Sequence, residues 1–575
     1  MIKLFRFLKK YWISVVVILV LIYFQVMAEL NLPNLMSDIV DTGIVNSDID
    51  YILQTGGKML LVALGGTLCS VVAALFASKV AMAFSRDVRR EVFTHVEGFS
   101  LNEFNKIPTS SLITRTTNDI TQVQTVMVMG LRILVMAPIM FVGALIMALS
   151  KDTYLARVIA AAIPLVLGMM IFVAVKGMPL FKSMQTKVDK LNLVVREGLT
   201  GIRVIRAFNR TDFEKDRFKA ANKDLTDTAI KVNKLLATLM PLMMFVFNLL
   251  TIGILWFGAN RIDLGEMAVG DLMAFIQYAM QIMMSVIMVA MMFILIPRAS
   301  ASAVRINEVL DLKPEILDPK NPNNKKVESG HVEFKNVYFR YPGAEEPVLS
   351  NISFDARPGE TTAIIGSTGS GKSALINLIP RFYDVEKGSI LVDGVDIKDM
   401  LQEDLRNKVG IVPQKAVLFS GSVSDNIRYG KEDASDEEVK HAAEVAQALD
   451  FVTNMKDGFD SFIAQGGNNV SGGQKQRLAI ARALIRRPEI YVFDDSFSAL
   501  DLKTDAKLRA ALKKETGDST VIIVAQRVST VMDADRIIVL EQGEIAGMGT
   551  HKELLNNCEI YREIVSSQLS EEEIS

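Results

Sequence analysis

The sequence predicts two parts in series: an α-helical membrane domain of six spans, then an α/β domain of the P-loop class. Three observations carry this. Half of the 575 residues are hydrophobic and the mean hydropathy is +0.28, too apolar for a soluble chain of this size. The excess is uneven, because the long uncharged runs lie in residues 1–300 while 319–575 read as a charged globular domain. In that second part Gly366, Ser367, Thr368, Gly369, Ser370, Gly371, Lys372 and Ser373 stand between the apolar run Thr361–Ile365 and a helical pattern over Ala374–Ile379. A strand, a glycine-rich loop ending in Lys-Ser, and a helix make a phosphate cradle: backbone N–H groups turn inward, Lys372 reaches the terminal phosphates, and the Ser373 hydroxyl suits Mg2+.

The membrane part opens with Met1–Lys10, where Ile2, Leu4, Phe5, Phe7 and Leu8 alternate with Lys3, Arg6, Lys9 and Lys10, a pattern for a short amphipathic helix on membrane lipid. The run Trp12–Leu30 is long enough to span and has no small-residue cleavage site after it, which argues against a signal peptide. Five further apolar stretches follow at about 57–83, 130–150, 154–178, 236–258 and 272–296. Each is near the ~20 residues a spanning helix needs. Loop charge sets the orientation: Asn31–Gly57 carries Asp38, Asp41, Asp48 and Asp50 with no Lys or Arg before Lys58, whereas 84–129 and 179–235 are rich in Arg and Lys. The basic segments, both termini and the P-loop domain are therefore placed in the cytoplasm. Apolar positions recur at helical spacing in those segments (Val88, Val92, Val96; Leu191, Val194, Val195, Leu199), so the spans are expected to continue as helices beyond the bilayer.

Within the spans, Met240, Met243, Met244, Met280, Met283, Met284, Met288, Met291 and Met292 suit either a pliable cavity wall or ordinary helix packing. Gln25, Glu29, Asn248, Gln277 and Gln281 are polar exceptions in apolar runs, and Glu29 stands near the outer end of its stretch, where a surface role competes with a cavity role. A net charge of -2 gives no reason to expect a nucleic-acid partner. Two cysteines, Cys69 and Cys558, provide neither a disulfide framework nor metal-ligand spacing.

Residues 1–318 are read as the transmembrane domain, 319–330 as an exposed linker with Pro319 and Pro322, and 331–575 as the nucleotide-binding domain. Tyr341 stands in a loop before the P-loop, where a ring could stack on an adenine. Gln414 closes the apolar strand Val409–Val412, within reach of Mg2+ and a neighbouring domain. Ser471, Gly472, Gly473 and Gln474 open a helix expected over Lys475–Leu484, giving a second glycine-rich helix start suited to phosphate. Ile490–Asp494 is a buried strand ending in a carboxylate placed for Mg2+, Ser498-Ala-Leu-Asp501 follows, and the strand Val521–Ala525 ends at Gln526. Two phosphate-binding helix starts with a single P-loop require a complementary half from another chain.

This order of motifs resembles the nucleotide-binding domain of ABC transporters, and with the six spans the chain resembles a half-transporter of the ABC exporter family. Phe104–Asp119 and Glu197–Glu214 resemble its cytoplasmic coupling segments. The resemblance implies a membrane α-helical six-span exporter domain, ATP and Mg2+ as cofactors, and a partner half-transporter paired head to tail. ATP would then sit between the P-loop of one chain and the Ser-Gly-Gly-Gln signature of the other. The sequence departs from the family pattern at the two positions closest to hydrolysis: Asp495 stands where active members have Glu, and Gln526 where they have His. Gln465, where an acidic residue is usual, is a softer change. Together these resemble the degenerate subunit of heterodimeric bacterial multidrug exporters. The expected function is ATP-driven export of small amphipathic compounds; a lipid or peptide exporter and a nucleotide-gated regulator are the alternatives.

Overall fold

A computed structural model describes residues 2–323 and 329–568; residues 324–328, in the expected linker, and the side chains of Met240 and Met291 lie outside the described residues. The chain forms two compact units, Met1–Glu97 with Thr109–Leu312, and Gly98–Pro108 with Lys313–Ser575. The short segment 98–108, which the sequence places inside the membrane part, thus groups with the α/β unit.

Among the described residues the first unit has six helices long and apolar enough to cross a membrane: Lys3–Ile44, Ile49–Glu97, Thr109–Lys151, Thr153–Thr200, Thr211–Asp263 and Val269–Val289, here spans 1 to 6. The helix of span 6 continues to Asp311. Spans 2 to 5 are 49, 43, 48 and 53 residues long. At 1.5 Å per residue they reach roughly 65 to 80 Å, more than twice the ~30 Å hydrocarbon thickness, so they extend well into the cytoplasm. A short helix, Ile2–Tyr11, precedes span 1 as its alternating pattern predicts, and the Tyr11 hydroxyl donates to buried Asp87 Oδ2 at 2.7 Å.

Span 1 packs along span 2, span 3 along span 6 and span 4 along span 5. Small residues permit the closest approaches: a Cβ on Gly66 would stand 2.9 Å from Ala28 Cβ, and one on Gly143 only 2.4 Å from Leu30 Cδ1. Met243, Met283 and Met292 are buried in helix packing, whereas Met244, Met280 and Met284 face outward. At the external ends Lys151 Nζ lies 2.7 Å from Asp271 Oδ1, and Ser37 Oγ donates to the same oxygen at 2.9 Å, joining spans 1, 3 and 6.

The second unit is built on a six-stranded sheet whose order is Glu544–Gly549, Arg536–Glu541, Thr361–Gly366, Thr520–Val524, Ile490–Asp494, Val409–Val412. All neighbours are parallel except the first pair. The central strands are buried on both faces, which is why each reads as an unbroken apolar run. One core lies under the helices Asp436–Val445 and Gly472–Leu484. The other lies against a four-stranded sheet containing Val332–Phe339, Leu349–Ala356, Lys387–Val392 and Val395–Asp396.

Candidate nucleotide site

Register brings the predicted residues together. Val524 pairs with Ile364 on one side and Asp494 on the other, and Val412 pairs with Phe493, so four parallel strands end at one edge of the sheet. The P-loop, Gln526, Asp494 with Asp495, and Gln414 each follow one of those ends. This carboxyl edge is where open α/β sheets hold ligands.

The loop fits a phosphate-binding role. Gly371 has φ +99°, a conformation that disfavours a side chain, and a Cβ there would stand 2.7 Å from Leu349 Cδ2. A Cβ on Gly366 would lie 2.1 Å from Leu540 O. Lys372 Nζ donates to Gly366 O at 2.8 Å and Ser367 O at 2.6 Å, so the loop curls around a buried ammonium. Burial holds the Lys372 pKa below its usual value, against the opposing pull of Asp495, Asp494 and Glu541. A polyphosphate would replace carbonyl oxygens with anionic ones around this same group. Ser367 Oγ donates to Glu541 Oε2 at 3.1 Å on the neighbouring strand.

Ser373 Oγ lies 3.5 Å from Asp494 Oδ1, a hydroxyl and a carboxylate side by side. Burial, with Asp495 adjacent, raises the Asp494 pKa above the usual carboxylate value, while Ser373 and Lys372 oppose the rise. A hard cation with oxygen ligands fits this pair, and Mg2+ completed by phosphate oxygens and water needs no larger protein cluster. Ser373 and Asp494 would hold it, and the ion would supply charge neutralisation for the β- and γ-phosphates.

Asp495 follows at once in a left-handed conformation, φ +45°, and its N–H donates to Val524 O at 2.9 Å. A non-glycine residue there is held by its surroundings. Its Oδ2 accepts from Gln414 Nε2 at 3.3 Å and from Gln526 Nε2 at 3.2 Å. The two amides thus converge on one carboxylate oxygen. Ser496, fully buried, donates to Val412 O at 3.0 Å and ties the turn to the neighbouring strand.

Tyr341 packs edge-on against Phe339 and Tyr383, with ring centroids 4.9 and 5.3 Å away. The signature helix starts earlier than its apolar pattern suggests, at Gly472, because Ser471 and Gln474 form a reciprocal cap. Gln474 N donates to Ser471 Oγ at 3.3 Å, and Ser471 N to Gln474 Oε1 at 2.8 Å. One residue at the site has no signal in the sequence: Gln568 donates from Nε2 to Gln526 O at 2.8 Å and accepts from Val528 N at 2.8 Å, clasping the backbone that carries Gln526.

Residues 15–286 match the family model of the ABC transporter transmembrane region, and 349–498 match that of the ABC transporter. The chain is 43% identical to an uncharacterized ABC transporter ATP-binding protein of Mycobacterium tuberculosis, across 94% of each chain. The chain belongs to the ABC transporter family. It is a half-transporter, with one transmembrane and one ATP-binding domain, and its family hydrolyses ATP to move cargo. It is also 34% identical to an ATP-dependent lipid A-core flippase of Desulfotalea psychrophila, across 84% of each chain. A solved structure of a bacterial Atm1-family ABC exporter with ATP bound resembles it at a TM-score of 0.81 and 27% identity, covering 98% of this half-transporter and 99% of that chain. The six spans cross the membrane with the ATP-binding domain in the cytoplasm.

Proposed function

We propose that this half-transporter pairs with a different one to export small amphipathic compounds, and that its own ATP site is the slow member of the pair. The observation that carries the second part is the convergence of Gln414 and Gln526 on Asp495 Oδ2. Water attack on the γ-phosphate needs a carboxylate free to polarise that water. Asp495 is one methylene shorter than the Glu of active members, and a displacement of about 1 Å can cost ~100-fold in rate. Here one of its two oxygens, Oδ2, is also engaged by two donors. Lys372 and the loop glycines are intact, so the site retains what holds the nucleotide while its water-polarising group is withdrawn.

Pairing is supported by apolar surface on both units. The helix Ile202–Ala207, within the second expected coupling segment, leaves Val204 exposed beside exposed Phe208, and the α/β unit leaves Val417, Phe419 and Tyr429 exposed. A second half-transporter is the partner suited to both. Ser471–Gln474 would then complete the partner's ATP site, where the partner supplies Glu and His.

The test is ATP hydrolysis by the purified chain alone and together with a second half-transporter carrying Glu and His. Turnover by the pair and little by the chain alone is expected. Equal rates would point to a homodimer with two working sites. A lipid cargo is the second reading, favoured by the likeness to the lipid A-core flippase. ATP-dependent concentrative uptake into inverted vesicles separates both from a gated regulator, which would give downhill flux alone.

A further inference from the structure

The six apolar stretches contain a single carboxylate, Glu29. The helix of span 1 runs on to Asp38, so Glu29 stands about 26 Å along it from Trp12 and about 14 Å short of Asp38, toward the outer end of the span as its sequence position suggests. The flanking residues fix its direction, since Ala28 abuts Gly66 of span 2 and Leu30 abuts Gly143 of span 3.

Glu29 sits in a polar cluster between spans 1 and 6. Gln25, one turn inward and 5% exposed, donates from Nε2 to Glu29 Oε1 at 2.9 Å. Gln281 of span 6 donates from Nε2 to the Glu29 backbone oxygen at 3.2 Å, and the Tyr278 hydroxyl donates to Leu30 O at 3.0 Å. Among the described residues, Gln281 Oε1 is buried without a hydrogen-bond partner, and Glu29 has no ion pair. Arg132 of span 3 is one turn inward of Met136, whose sulfur lies 3.9 Å from Gln25 Nε2, so it stands roughly two turns below the level of Glu29. A half-buried carboxylate and an amide oxygen therefore share one level of the membrane with no positive group to meet them. Such an arrangement is costly in hydrocarbon and marks a functional position. The complement is a positive charge with apolar substituents, and the thioether of Met136 suits a soft, polarisable one.

We propose that Gln25, Glu29 and Gln281 form an intramembrane binding site for organic cations, such as amphipathic amines and phosphonium ions. This rests on the reading that the chain moves amphipathic compounds, and it names the charge of those compounds and the residues that select it.

The probes are tetraphenylphosphonium and tetraphenylborate, alike in shape and opposite in charge. Equilibrium binding is measured to the full chain in nanodiscs of zwitterionic lipid. The unaltered protein should bind the phosphonium at least tenfold more tightly than its preference over bare nanodiscs explains. Glu29→Gln should abolish that preference, Glu29→Asp should keep it, and ATP affinity should be unchanged in both. A preference that survives Glu29→Gln overturns the site, and so does an equal loss of both ions, which would mean that the cluster only packs helices. Should Glu29→Gln not fold, carbodiimide modification of Glu29 in the unaltered protein decides: the phosphonium should slow it several-fold and the borate should not, and equal rates overturn the site. The outcome is separable from the export reading. No charge preference, with ATP-driven uptake of an uncharged amphipath intact in the assembled pair, sinks the site alone. A preference abolished by Glu29→Gln in a pair that takes up nothing supports the site and sinks export.

Discussion

Gln526 Nε2 lies 3.2 Å from Asp495 Oδ2, the same oxygen that accepts from Gln414 Nε2 at 3.3 Å. The two side chains thus satisfy each other through this one oxygen, so the test changes both together. The double change Asp495→Glu with Gln526→His should raise single-turnover hydrolysis at this site by roughly 10- to 100-fold. Introducing Ser471→Ala in the same chain of the assembled pair is expected to slow the neighbouring site and so isolate the signal. A flat rate would place the defect outside these two residues.

The cap formed by Ser471 and its proposed role in the partner's site would differ in size. As the cap of the helix Gly472–Leu484 it satisfies one backbone donor, and Ser471→Ala should lower the stability of its own domain by about 1 kcal/mol. If its hydroxyl also faces the phosphate held by the partner, removal of that donor should slow the partner's site by roughly 100-fold. Thermal melting of this chain and steady-state hydrolysis by the pair separate the two effects. A small melting shift with full turnover would contradict a shared site.

Much of this arrangement was legible in the sequence, for identifiable reasons. Parallel strands buried on both faces read as apolar runs, so Thr361–Gly366, Ile490–Asp494 and Thr520–Val524 were found to within a residue or so. Gln526 is marked by the end of its apolar strand, whereas Asp495 stands out only because the resemblance to ABC transporters implies a Glu at that position. Side-chain direction was not legible: nothing in the spacing says that Gln414 and Gln526 share one oxygen. Gln568 was missed because a lone glutamine near a terminus has no periodicity, and its two bonds go to backbone. The fate of 98–108 was hidden likewise, because Lys106 finds its ion-pair partner in Glu315, far along the chain.

Asp494 predicts a pH dependence. Its pKa is raised chiefly by burial, so the folded state binds this proton more tightly than the unfolded state. The associated stability is fully present below the unfolded value of about 3.9 and is lost as pH rises through the higher folded value. At neutral pH the ionised group is therefore a burden that a bound Mg2+ relieves. The Mg2+ requirement for nucleotide affinity should weaken as pH falls toward the raised Asp494 value and the group takes up its proton. Asp494→Asn should raise the nucleotide-free melting temperature slightly and remove most of the Mg2+ effect at every pH. Unchanged Mg2+ dependence in that variant would exclude Asp494 as a ligand.

The helix Leu101–Lys106 belongs to the α/β unit while the chain on either side of it continues into spans 2 and 3. Its hold is polar. Asn102, buried, donates to Glu315 Oε2, Lys106 Nζ lies 2.7 Å from Glu315 Oε1, and Asn105 Nδ2 donates to the Tyr383 hydroxyl at 3.3 Å. Glu103 is fully buried and caps its own helix by accepting from Ser100 N at 2.7 Å. Glu315 therefore anchors two residues of the segment that joins spans 2 and 3 in the chain. The Lys106 and Asn102 bonds hold the Glu315 pKa below the usual carboxylate value, so this anchor is in force above about pH 4.5 and weakens as pH falls through the lowered value. Glu315→Ala removes both bonds without touching the P-loop or the signature. It should leave ATP affinity of the assembled pair unchanged and lower cargo moved per ATP hydrolysed several-fold, because the sheet can then close on nucleotide without drawing spans 2 and 3 along. Vesicle uptake and phosphate release measured on one preparation give that ratio directly. A proportional fall in both rates would mean that Glu315 supports folding of the α/β unit rather than its grip on the segment.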